Sequence, residues 1–79
     1  MTNQSKLIQT IEKLERKAKR LEGSKQESKC EIHQLARAYF NAGVLSEKAG
    51  LNSRAKLNYY HASKYMLELA RDVNIGAFQ

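Results

Sequence analysis

The chain has 79 residues, no proline, no tryptophan, one cysteine and a formal charge of +6. A chain this short makes one small domain that buries only roughly 60% of the surface its unfolded form exposes. Its 42% hydrophobic content is too high for a disordered tail. The single Cys30 excludes an internal disulfide, no apolar run approaches the roughly 18–20 residues of a membrane span, and residues 1–5 open no signal peptide; the expectation is a soluble, cytoplasmic, basic domain.

Proline breaks helix interiors, and its absence beside abundant Leu, Ala, Lys, Glu, Gln and Arg predicts an all-α fold. The first helix is expected at about 5–22. Leu7, Ile11, Leu14, Ala18 and Leu21 recur at alternating steps of four and three and share one stripe. Glu12 with Arg16, and Glu15 with Lys19, stand at i,i+4 in the supportive order. Residues 23–29 (GSKQESK) hold no large apolar side chain and read as a loop or frayed junction. The heptad frame nevertheless continues through Ile32, Leu35, Tyr39 and Ala42, so one long helix stands as the alternative to a helix, a turn and a second helix.

The second helix is expected at about 29–48, with Ile32, Leu35, Ala36, Tyr39, Phe40, Gly43 and Val44 as a broad apolar face. Gly50 suits the left-handed position after a helix end, and Ser53 reads as the N-cap of the next helix. The third helix is expected at about 54–74 with the stripe Ala55, Tyr59, Ala62, Met66, Leu69 and Val73; Ile75 and Phe78 follow as a tail that folds back. The architecture is a small three-helix bundle or helical hairpin. Because so short a chain has little surplus stability, self-association as a dimer is expected, with the heptad stripe of the first helix offering the surface.

Between 39 and 67 the spacing of small and aromatic residues resembles a single tetratricopeptide-type hairpin. Tyr39 takes the first aromatic place, Ala42 and Gly43 the small pair, Gly50 the turn glycine, and Ala55, Tyr59 and Ala62 the second-helix pattern. Ser46 stands where that family prefers tyrosine and Leu67 where a proline usually ends the unit. The resemblance covers about 30 residues and implies a surface for protein or peptide. Over the same stretch, residues 45–57 (LSEKAGLNSRAKL) resemble a helix-turn-helix DNA-binding motif, which implies base contacts from Arg54, Lys56 and Asn58. Lys56 occupies the place where that motif usually holds an inward aliphatic.

Charge is concentrated in the first third: residues 1–29 carry eight Lys/Arg against four Glu, +4 of the total. Lys13, Arg16, Lys17 and Arg20 lie at i, i+3, i+4 and i+7, a basic stripe about 10 Å long opposite the apolar one. Lys56, Tyr60 and Lys64 repeat every four residues and set an aromatic ring between two cations. Cys30, His33 and His61 supply three candidate metal ligands where a structural zinc site takes four, and the chain holds no phosphate-binding glycine loop or nucleophile elbow. No enzyme activity, metal or cofactor is expected. The expected function is a protein-interaction module, an adaptor or inhibitor such as a phage or mobile-element accessory factor, meeting an acidic protein surface through Lys13, Arg16, Lys17, Arg20, Arg37, Tyr60 and Lys64. The alternative is a nucleic-acid-binding transcriptional or replication regulator that adds Arg54, Lys56 and Asn58.

Overall fold

A computed structural model describes the backbone of residues 2–23 and 29–77 and the side chains of 4–23 and 30–70. It is a small all-α three-helix bundle: α1 spans Thr2–Gly23, α2 Lys29–Lys48 and α3 Asn52–Ala77. No strand occurs among the described residues, and no helix is long and apolar enough to cross a membrane. The stretch 24–28, expected as a junction, and the tail residue Phe78 lie outside the described residues, as do the side chains of Val73 and Ile75.

One continuous helix from α1 into α2 is overturned by the packing. Along such a helix Ile11 and Ala42 would stand about 46 Å apart at 1.5 Å per residue, yet they share one buried cluster. As α1 advances seven residues from Ile11 to Ala18, its neighbour on α2 retreats seven, from Ala42 to Leu35. The same antiparallel register brings the Gln4 Nε2 amide to the Ala49 carbonyl at 3.0 Å. The heptad stripe of α1 therefore faces α2 within the chain, with Leu7, Leu14 and Leu21 half-buried around Ile11 and Ala18.

α2 ends as its sequence predicts. Gly50 adopts φ +79°, its N–H donates to the Glu47 carbonyl at 3.0 Å, and the Leu51 N–H reaches the Ser46 carbonyl at 2.8 Å. This is a Schellman motif, and the apolar contact that accompanies it is made by Leu51, which packs with Leu45 on the Ile11 cluster. The chain re-enters a helix sooner than expected: the Leu51 carbonyl accepts from the Ala55 N–H at 2.9 Å, so α3 begins at Asn52 and Ser53 sits inside its first turn rather than capping it.

α2 is the central element, with α1 along one side and α3 along the other; the backbones of α1 and α3 do not come within 8 Å of each other, Cα to Cα, among the described residues. Being covered on two sides, α2 buries Ala38, Ala42 and Ser46 as well as Leu35, Ala36, Tyr39 and Gly43, while Phe40, expected in the core, is exposed. Most of the buried apolar positions are alanines, which lets the helices approach closely. On α3 the buried stripe is Ala55, Asn58, Ala62 and Tyr65; Tyr59 is half-buried and Met66 exposed. The helix is thus rotated from its expected face, and the cause lies on α1.

Candidate functional site

Two glutamates of α1 bridge to α3 across the gap that the backbones leave open. The Glu15 carboxylate accepts from Arg54 Nη2 at 2.6 Å, from Arg54 Nε at 3.0 Å and from Asn58 Nδ2 at 2.9 Å. The paired hydrogen bonds from the guanidinium lead the effects that hold the Glu15 carboxyl below its ordinary value, outweighing burial. One turn pair later, Glu22 accepts from the Tyr39 hydroxyl at 2.7 Å and the Tyr65 hydroxyl at 2.5 Å. Burial pushes the Glu22 carboxyl up, but the two phenols, with His61 and Lys64 nearby, outweigh it and hold the group below its ordinary value. Both tyrosines are raised well above theirs, first by burial and then by the carboxylate. These contacts turn Asn58 and Tyr65 inward and set the rotation of α3.

The sequence expectation had paired Glu15 with Lys19 and Glu12 with Arg16. Glu15 is instead taken by Arg54, which stands 39 residues away in the chain, and Glu12 makes no ion pair with any described residue. Lys13, Arg16, Lys17 and Arg20 are all exposed, line one open depression, and form no ion pair with any described residue. They lie on the flank of α1 turned away from α2, as their offset from the Leu7–Leu21 stripe requires.

The other expected contact residues are not gathered beside them. Arg37 is exposed on α2 at the edge of a groove of about 310 Å³ that also touches His33, Phe40, Met66 and Leu69. Tyr60 and Lys64 are exposed on α3, a different helix from the one that carries the basic flank. Of the three residues suggested by the helix-turn-helix resemblance, Asn58 is only 3% exposed and Arg54 is held by Glu15, which leaves Lys56 alone on the surface. Arg54 gives Nε and Nη2, and Asn58 gives Nδ2, to Glu15 of α1.

Cys30 and His33 are exposed, whereas His61 stacks on Tyr39 with ring centres 4.8 Å apart and buries an Nδ1 that has no hydrogen-bond partner among the described residues. No group of three His, Cys, Asp or Glu among the described residues is placed to hold a metal ion. The sequence did carry one signal for the bridging pair: Glu15 and Glu22 are seven residues apart, each directly after a stripe leucine, on the flank of α1 that meets a third helix.

Compared with protein-family models, with curated proteins and with solved structures, the chain matches none of them.

Proposed function

We propose that the protein is a non-enzymatic interaction module that binds an acidic surface of another protein through the basic flank of α1. The observation that carries this reading is the set of four exposed cations, Lys13, Arg16, Lys17 and Arg20, on one face and in no ion pair with any described residue. Such a donor-only surface attracts carboxylates and raises the encounter rate with an acidic partner. A protein partner is favoured over nucleic acid because the second cluster that a duplex reader would add, Arg54 with Asn58, is folded against Glu15. Arg37 on α2 and Tyr60 and Lys64 on α3 are exposed but stand on other helices and are not part of this surface. The lone free thiol of Cys30 suits a reducing cytoplasm.

The test compares the wild-type chain with Lys17→Glu/Arg20→Glu as bait in a cell lysate, and both with labelled DNA and RNA duplexes at about 50 mM salt, where counterion release is strong. A protein captured by the wild type, lost with the charge-reversed variant and released by salt supports the reading. Capture that is indifferent to charge reversal, or tight duplex binding that charge reversal abolishes, overturns it.

A further inference from the structure

The heptad stripe of α1 is committed to α2, but α3 carries a second stripe that the bundle leaves bare. Leu57, Tyr60, Lys64 and Leu67 follow one another at steps of three, four and three, the spacing of a helix–helix seam. They lie on the side of α3 opposite Ala55 and Ala62, which are buried against α2. Leu57 is 57% exposed, Tyr60 66% and Leu67 64%, so three of the five exposed large apolar side chains among the described residues stand on this one face. Scattered apolar residues need no explanation; a seam of them at coiled-coil spacing does.

We propose that this face pairs with the same face of a second copy, the two α3 helices running antiparallel about a two-fold axis level with Ala62. In that register the stripe is complementary to itself. Leu57 packs on Leu67 of the second copy at both ends of the seam. Tyr60 meets Lys64 of the second copy, whose ammonium swings from its place 5.8 Å from the centre of its own Tyr65 ring to an aromatic face across the seam, and not to another ammonium. A parallel pairing about the same stripe would instead set Lys64 on Lys64, burying like charges together, which is costly. This argument selects a second copy, and an antiparallel one, from the residues of the seam.

The seam is about 15 Å long at 1.5 Å per residue, far smaller than a standard interface, so the dimer is weak and forms at high protein concentration. It also joins two chains of like charge, each formally +6. Salt therefore strengthens it by screening, whereas salt weakens a complex of the α1 flank with an acidic partner. The seam lies on α3 and uses none of the four cations of the α1 flank. The inference is independent of the proposed function, and the opposite salt responses keep their failures apart.

The experiment is analytical ultracentrifugation of the full chain across a concentration series at about 50 mM and about 500 mM salt, with the variants Leu57→Glu and Leu67→Lys. Both sites are exposed, so helical content by circular dichroism is expected to be unchanged in each. The wild type is expected to associate to dimers more tightly at the higher salt, and each variant alone to weaken the dimer about tenfold or more. An equimolar mixture of the two variants is expected to recover association. In the antiparallel register the new carboxylate faces the new ammonium at one end while Leu57 and Leu67 remain paired at the other. A wild type that stays monomeric at high concentration in both salts overturns the proposal, as does a dimer indifferent to either variant. Variants that weaken the dimer without mutual rescue overturn the antiparallel pairing.

Discussion

The ring of Tyr59 on α3 lies so close to Gly43 on α2 that a Cβ on Gly43 would stand 2.7 Å from two of its carbons. The ring also meets Phe40, with centres 5.7 Å apart, and its hydroxyl donates to Glu47 at 2.6 Å, so its position is held from three sides. Gly43→Ala gains about 1 kcal/mol of helix propensity but incurs an overpacking cost of about 1–3 kcal/mol. It is expected to lower stability in the wild type by urea unfolding, and to raise it by about 1 kcal/mol in a Tyr59→Ala background, where only the propensity term remains. The same sign in both backgrounds would mean that the ring is free to move aside.

Glu15 ties α1 to α3 through Arg54 and Asn58. Removing its charge with Glu15→Gln leaves the guanidinium without its anion, and a loss of about 1–3 kcal/mol is expected. In a double-mutant cycle with Arg54→Ala the two changes are expected to be non-additive, because they share one interaction. Glu12→Gln, one turn earlier and outside any ion pair with the described residues, is expected to stay within about 0.5 kcal/mol. Equal losses from the two glutamates would remove the Glu15 bridge from the account.

Acid is expected to loosen α1. The Glu15 and Glu22 carboxyls are both held below their ordinary value of 4.5 in the folded chain. Their contribution is therefore complete above that value and disappears as pH falls through the lower folded values. Urea midpoints measured from neutral pH down to about pH 3 should decline, and Glu22→Gln should flatten part of that decline. A midpoint that is independent of pH in the acid range would contradict the clamp.

Alkali acts through the same clamp with the opposite sign. Tyr39 and Tyr65 are raised above their ordinary value of 10.0, so the folded state favours their neutral forms, and stability is lost as pH rises through that value. Ultraviolet titration of the phenols should show Tyr39 and Tyr65 ionising only as the helical signal is lost. Tyr39→Phe and Tyr65→Phe should each remove one such late step. Ionisation of all four tyrosines with the helices intact would contradict this.

Gly50 is the position where the backbone itself dictates the residue. Its φ of +79° costs an L side chain about 1–2 kcal/mol, although nothing stands within 4 Å of a Cβ there. Gly50→Ala is expected to lower the melting temperature by roughly 4–8 °C per kcal/mol for a domain of this size. An unchanged Tm would show that the Schellman turn can be replaced by another connection.

The amino-acid sequence by itself determined the three helices, the Leu7–Leu21 stripe and the stop at Gly50. Each of these is local: periodicity, propensity and a left-handed glycine act within a few residues. Tertiary structure decided that α1 folds back on α2, because the frame continuing through Ile32 and Leu35 suits a long helix equally well until Ala18 and Leu35 are buried together. It also decided which side of α3 is inside. A face of alanines reads alike at neighbouring angles, and the choice fell to Asn58 and Tyr65, whose partners on α1 lie 43 residues away. The same holds for Glu15, which the sequence sets beside Lys19 and the folded chain joins to Arg54, 39 residues away.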